Sequence, residues 1–120
     1  MKNIELEKIT AQLLHEIGVP ASLTGYLYLQ KAIITVYLDH DKINAITKEL
    51  YPDIAKAFHT KANRVERAMR HAIEKAWMQG NAEFQDKVFG YTISTKTGKP
   101  TNGEFIAMLA EQLYFKVGDN

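Results

Sequence analysis

The sequence predicts an all-α domain, a compact bundle of about six helices that contains a helix-turn-helix. Apolar residues recur at intervals of three and four, which gives each predicted helix an apolar face. Glycine, proline and capping residues stand where these periodic stretches stop, as they do at helix ends. The 120 residues suit one hydrophobic core, and the composition does not shift along the chain, so we expect a single domain over residues 1–120.

The first two predicted helices cover residues 3–17 and 25–39. Gly18 follows the first helix as a residue suited to its C-terminal cap, and Pro20 prevents continuation. Thr24 is predicted to cap the second helix. Because this second helix is apolar nearly all round, we expect it to run through the centre of the domain. Three polar residues end it: Asp39, His40 and Asp41.

The middle of the chain predicts four further helical pieces. A piece over residues 43–50 precedes a helix over 52–58, whose first residue is a proline suited to a first turn. Alternatively, these two pieces form one kinked helix. A turn at residues 59–60 then leads to the longest predicted helix, over residues 61–79, and a short helix over 82–89 follows.

The last predicted helix lies beyond a polar segment. Residues 91–101 contain Thr, Ser, Gly and Pro and predict a loop, or a brief extended segment at 91–94. Thr101 or Asn102 is predicted to cap a final helix that ends near Tyr114.

The predicted helix over residues 61–79 contains all three arginines of the chain in one seven-residue stretch: Arg64, Arg67 and Arg70. Residues 56–75 hold six basic and two acidic residues, a net charge of +4; since the whole chain carries +1, the other hundred residues carry −3. A basic patch on a nearly neutral body directs an anionic partner to one face. Arginine suits base edges and phosphates because its planar fork donates two hydrogen bonds at once.

Residues 52–69 have the spacing of a helix-turn-helix. That motif places a small residue in its first helix, a residue tolerant of positive φ four positions later, and an apolar residue six positions beyond the turn. Ala55, His59 and Val65 have this spacing. Glycine is commonest at the turn, but histidine is among the residues enriched at positive φ. We therefore expect the helix-turn-helix to span about residues 52–79.

The helical wheel of residues 61–79 separates an apolar side from a basic one. Five residues share the apolar side: Val65, Ala68, Met69, Ala72 and Ala76. Arg64, Arg67, His71 and Glu74 lie opposite, with Arg70 nearby. This pattern predicts a recognition helix whose first turns face DNA bases. Eight residues are the candidate DNA contacts: Thr60, Lys61, Asn63, Arg64, Glu66, Arg67, Arg70 and His71.

Other interpretations of these residues stay open. Arg67 and Arg70 can pair with Glu66, Glu74 or a neighbouring helix and form a solvated face. Glu66 is either an intrahelical partner of Arg70, four residues away, or an acceptor for a cytosine amino group. At the level of function, the alternative to DNA binding is a protein-interaction module that docks an acidic partner through the arginines.

The remaining composition argues against enzymes, metals and membranes. The chain has no cysteine, which excludes disulfides, thiolate zinc sites and cysteine nucleophiles. Its four histidines lack metal-ligand spacing, and its two serines lie in no catalytic motif. No apolar run is long enough to span a bilayer or serve as a signal peptide. We therefore expect a cytoplasmic, nucleoid-associated protein that is not an enzyme and needs no cofactor or metal.

Several blocks, in the same order, resemble the DNA-binding effector domain of the stage zero sporulation protein A family, the response regulators that commit endospore-forming bacteria to sporulation. The blocks are residues 14–21, 25–29, 50–56, 64–74, 89–92, 99–102 and 104–108. The resemblance covers about residues 10–115. It implies a six-helix transcription factor domain whose fourth helix enters the major groove of a short element, the sporulation box.

The resemblance also implies roles for individual residues and for partners. Arg64, Glu66 and Arg67 would contact bases, and Arg70 and His71 would contact bases or phosphates nearby. Members of the family bind tandem boxes as head-to-tail dimers and then activate or repress transcription. Double-stranded DNA and a second copy of the chain are therefore the expected partners.

Two features of the family concern other segments. The segment after the predicted recognition helix would meet the sigma subunits of RNA polymerase, with Gly80, Phe84, Asp86 and Phe89 as the candidate contacts, although residues 82–88 depart from the family pattern. The phosphoaccepting receiver domain of a two-component response regulator has no counterpart in these 120 residues. We therefore expect an isolated effector domain that lacks the phosphorylation switch and pairs on DNA.

Overall fold

A computed structural model describes residues 3–90 and 98–118, and within these ranges every regular element is helical. The described residues hold six α-helices, with a 3₁₀-helix, His40–Ala45, and a π-helical turn, Ile46–Leu50, between the second and third. The α-helices are α1 (Asn3–Ile17), α2 (Thr24–Leu38), α3 (Tyr51–Ala57), α4 (Ala62–Gln79), α5 (Ala82–Phe89) and α6 (Asn102–Gly118). The predicted all-α fold class is confirmed. None of these helices is long and apolar enough to cross a bilayer.

Gly18 ends α1 as predicted. Its φ is 103°, in the region that favours glycine, and its N–H donates to the carbonyls of Leu14 and His15, both at 3.1 Å. The N–H of Val19 donates to Leu14 at 3.0 Å. These hydrogen bonds form a Schellman motif, which satisfies carbonyls at the end of the helix and turns the chain towards α2.

Helix α2 lies at the centre of the bundle, in contact with α1, α4 and α6. Its prediction as a central helix is confirmed, although Leu27 and Leu38 at its periphery are 49% and 62% exposed. The prediction that Thr24 caps it is wrong, because the N-cap residue is Leu23 and no side chain caps the first turn. Leu23 packs against the core, and burying this apolar side chain places the helix start one residue earlier than a polar cap would.

The segment between α2 and α3 follows the kinked-helix alternative. The N–H of Tyr51 donates to the carbonyl of Ile46, five residues back, so the π-helical turn leads directly into α3. Pro52 lies in the first turn of α3, as predicted, where its missing N–H costs no helical hydrogen bond. Lys42 Nζ ties the segment together, since it lies 2.9 Å from Glu49 Oε1 and 3.4 Å from Asp53 Oδ2.

Helices α3 and α4 are joined by a tight turn centred on His59. The φ of His59 is 56°, so the predicted positive φ is confirmed. The N–H of Thr60 donates to Ala55 at 2.9 Å, and the N–H of His59 donates to Lys56 at 3.4 Å. This Schellman-type ending of α3 sends the chain into α4 after Lys61, the N-cap residue.

Replacing His59 with valine is expected to lower the free energy of unfolding by about 1–2 kcal/mol, because a β-branched side chain fits positive φ poorly. Replacing it with glycine should leave stability unchanged or raise it, since glycine adopts this conformation without strain. Chemical denaturation of both variants measures the difference. Both lose the imidazole, so equal destabilisation would show that a side-chain contact, and not the backbone, explains the effect.

Helix α4 packs closely on α2 through small residues. A Cβ built on Gly25 would lie 2.1 Å from the Ala68 carbonyl oxygen and 2.9 Å from the Ala72 Cβ. The absence of a side chain at Gly25 therefore lets the backbones of the two helices approach. On the same side of α4, Val65, Met69, Ala72 and Ala76 are fully buried.

The final helices are capped by polar side chains. Asn81 Oδ1 accepts from the Phe84 N–H at 3.1 Å and begins α5. Thr101, one of the two predicted caps, begins α6 with a reciprocal capping box: Thr101 Oγ1 accepts from the Glu104 N–H at 3.1 Å, and Glu104 Oε1 accepts from the Thr101 N–H at 2.9 Å. Helix α6 continues to Gly118, four residues beyond the predicted end. The extended segment predicted at 91–94 lies outside the described residues.

Candidate nucleic-acid interface

The outer face of α4, defined here as Asn63, Arg64, Arg67, Arg70 and His71, is exposed to solvent. The predicted division of the helix is confirmed, because the apolar stripe on its other side is buried in the core. Arg64 and Arg67 are three residues apart and lie in the first two turns of α4. Side chains at this spacing project from the same side of a helix and can address neighbouring positions on a ligand.

The arginines differ in their partners. Arg70 Nε lies 3.0 Å from Glu66 Oε2, one turn earlier on α4, which confirms the intrahelical pairing considered for Glu66. Within residues 3–90 and 98–118, Arg64 and Arg67 form no ion pair with an acidic side chain. Two guanidinium groups on this face therefore keep their donors available for an external acceptor.

The start of α4 is suited to an anion. Lys61 is its N-cap residue, no side chain caps the first turn, and Lys61 and Asn63 are both exposed. Thr60, which precedes them, is partly buried. Uncapped N–H groups at a helix start carry a partial positive charge and bind phosphate oxygens, so this end of α4 can support a nucleic-acid backbone.

Asn102, the first residue of α6, anchors the main chain of α4. Its Nδ2 donates to the Glu66 carbonyl at 3.1 Å and to the Tyr51 hydroxyl at 2.9 Å, and the residue is only 8% exposed. Burial raises the pKa of Tyr51, and the hydrogen bond from Asn102 acts in the opposite direction. One buried amide thus connects α6, α3 and α4. The sequence predicts Asn102 only as a possible helix cap. Its role as an anchor is not visible in a local pattern, because its hydrogen-bond partners lie 36 and 51 residues away.

A groove of about 520 Å³ borders the outer face of α4. Its walls come from the π-helical turn, α4 and the start of α6, and Glu66 and Arg70 lie along its edge. Across the groove, Lys99 Nζ lies 3.2 Å from Glu74 Oε2 and links the residues before α6 to α4. The acidic residues of α4 at positions 66 and 74 are therefore both engaged by cations.

The candidate polymerase contacts lie in two different environments. Phe89 is 2% exposed, and its ring packs against Trp77 and Phe105 at centroid distances of 5.2 and 5.8 Å. A Cβ on Gly80 would lie 2.4 Å from the carbonyl oxygens of Ala76 and Ile17, so this residue serves close packing. The ring of Phe89 is thus inaccessible to a protein partner, whereas Phe84 is partly buried and Asp86 is exposed.

Together, the fold and the outer face of α4 define an all-α domain with two helices joined by a tight turn, the second of which presents arginines to solvent. A comparison with known families agrees with this class. The family model described as "Sporulation initiation factor Spo0A C terminal" matches residues 10–113, and the chain belongs to this family. The chain is therefore a DNA-binding domain that regulates transcription in sporulation. Its family consists of transcription factor domains and is not a class of enzymes.

Proposed function

We propose that the domain binds DNA sequence-specifically, with α4 as its recognition helix in the major groove of tandem sporulation boxes. One observation carries the proposal: Arg64 and Arg67 are exposed and lack acidic partners within the described residues, on a helix whose opposite side is buried in the core. An α-helix fits the major groove, where guanine offers two acceptors to one guanidinium.

The candidate contacts on α4 and in the turn before it divide into two proposed roles. Arg64, Arg67 and Glu66 read bases, since they lie in the first turns of α4 and combine donors with an acceptor. Lys61 and Asn63, with the N–H groups of the first turn and the hydroxyl of Thr60, bind the phosphate backbone and fix the position of the helix. His71, exposed one turn after Arg67, donates to a phosphate further along the groove.

Further proposals concern partners of the bound domain. Two copies bind head-to-tail on adjacent boxes, and the domain then activates or represses transcription as the output of a two-component response regulator. A sigma subunit of RNA polymerase meets the segment after α4 through Asp86 and the accessible part of Phe84. This proposal omits Phe89, whose burial supports a role in the core.

A mobility-shift titration tests the proposal. The domain should retard a duplex with two sporulation boxes at lower protein concentration than a scrambled duplex of the same composition. Its affinity for both should fall steeply as salt rises, because phosphate contacts release counterions. If the arginines instead dock an acidic protein, neither duplex will be retarded at low salt. Equal retardation of both duplexes would support DNA binding but contradict sequence specificity.

A further inference from the structure

Arg70 orients the Glu66 carboxylate through an ion pair one turn along α4. Arg70 Nε lies 3.0 Å from Oε2, and Nη2 lies 3.5 Å from Oε1, so one guanidinium contacts both oxygens. A planar guanidinium that meets both oxygens of a carboxylate constrains the plane of the group as well as its position. A free glutamate side chain at this exposed position would sample several rotamers.

This pair adds little to the stability of the fold. The side chains of Arg70 and Glu66 are 53% and 38% exposed, and exposed pairs one turn apart on a helix are weak contributors to folding. The pair therefore matters for function because it sets the arrangement of hydrogen-bond donors and acceptors that α4 presents to a ligand.

The charge of Arg70 is offset on α4 itself. Glu66 precedes it by four residues and Glu74 follows it by four. The hydrogen bond with Glu66 is the largest cause that raises the pKa of Arg70, and the charges of Glu66 and Glu74 add to it. Arg64 and Arg67 have no such acidic partners within the described residues. Arg70 is consequently the least suited of the three arginines to bind a phosphate.

The main chain of Glu66 is fixed as well. Asn102, at the start of α6, donates a hydrogen bond to the Glu66 carbonyl at 3.1 Å. The same amide group also donates to the Tyr51 hydroxyl. Glu66 is thus constrained at its carbonyl by a buried asparagine and at its carboxylate by Arg70. Such double constraint is what a residue requires to present an acceptor in one direction.

The paired carboxylate keeps capacity for a ligand. An ionised carboxylate has about four lone-pair sites, and Arg70 occupies two of them. The remaining sites can accept from the exocyclic amino group of a base, which cytosine presents in the major groove. A cation beside the carboxylate also reduces its repulsion from the phosphates of the duplex.

We propose that Arg70 is a positioning residue, which orients Glu66 to accept from a cytosine amino group and does not itself bind DNA phosphate. The inference rests on the proposed function of α4 as a recognition helix. It assigns the discrimination of one base pair to the Glu66–Arg70 unit, while Arg64 and Arg67 act separately.

The test is a double-mutant cycle with Arg70→Met, Glu66→Gln and the combination, measured on box duplexes in which each base pair is replaced in turn. Wild-type protein should prefer the correct pair at the position read by Glu66 by about 5- to 150-fold. Each single variant should lose most of this preference at that same position. The double variant should lose no more than either single variant, because the two residues act as one unit.

Arg70→Lys is the matched control, since it keeps the positive charge but lacks the planar fork. This variant should lose the same base preference while the salt dependence of binding stays that of wild type. Thermal unfolding of all variants should remain close to wild type, as expected for an exposed pair.

Two results would overturn the inference while leaving sequence-specific binding intact. In the first, Arg70→Met weakens binding to every duplex equally and lowers the salt slope by about one, as loss of a phosphate contact does. In the second, Glu66→Gln keeps the full preference at every position. If wild-type protein itself shows no preference for the box, the proposed function fails, and the inference fails with it.

Discussion

Replacing Arg64 and Arg67 together with alanine is expected to remove most of the preference of the domain for box DNA over scrambled DNA. Loss of one bidentate contact to a base costs about 1–3 kcal/mol of specific binding, and two contacts are lost. Both side chains are exposed, and neither has an acidic partner in the described residues, so the fold should stay intact. Titrations with the two duplexes at one salt concentration measure the change.

A charge-matched control separates base reading from simple electrostatics. Lys8→Ala with Lys31→Ala removes the same charge from exposed positions on α1 and α2. This control should slightly weaken the binding of the domain to both duplexes and keep its preference for box DNA over scrambled DNA. Methylation of guanine N7 offers a second check, because it blocks one of the two acceptors that a guanidinium contacts. It should impair wild-type binding but hardly affect the double variant. An equal loss on both duplexes for the arginine variant would contradict base reading.

Replacing Gly25 with alanine is expected to lower the free energy of unfolding by about 1–3 kcal/mol, the usual cost of overpacking. The added Cβ would lie 2.1 Å from the carbonyl oxygen of Ala68, a backbone atom that cannot move alone, so α2 and α4 must separate. Alanine favours a helix over glycine by about 1 kcal/mol, which opposes this cost and makes a net loss a stringent test. Because α4 is displaced, affinity for box DNA should also fall. Urea denaturation and the same DNA titration give the two values.

Gly103→Ala is the matched control for Gly25→Ala. Gly103 is also a helical glycine, but among the described residues an added Cβ would meet only the Cδ1 of Ile46, at 2.9 Å, which is the end of a flexible side chain. This variant should be as stable as wild type or more so. If Gly25→Ala is equally stable, the close approach of α2 and α4 does not limit the packing of α4.

Local rules explain why much of the fold was predictable. Helix ends at Gly18, Thr101 and Pro52 follow from residues that satisfy or lack specific backbone groups within a few positions. The turn at His59 was predictable because the spacing of Ala55, His59 and Val65 is that of a helix-turn-helix, in which the chain turns at the middle one of these positions. The exposed face of α4 followed from helical periodicity, since one buried stripe determines what lies opposite.

Features set by distant residues were not predictable in this way. Leu23 is the N-cap residue of α2 in place of a polar side chain because it packs against the core, and Phe89 is buried because it packs against the rings of Trp77 and Phe105. The anchor between Asn102 and the Glu66 carbonyl joins residues 36 positions apart. No local pattern reports such contacts, since they arise only when separate helices pack together.

The central claim is that α4 enters the major groove with Arg64 and Arg67 towards the bases, and a crystal structure of the domain on a duplex with two boxes tests it most directly. We expect guanidinium nitrogens of both residues at about 2.7–3.2 Å from acceptors on base edges. A complex in which these two side chains face solvent or protein, with α4 outside the groove, would contradict it.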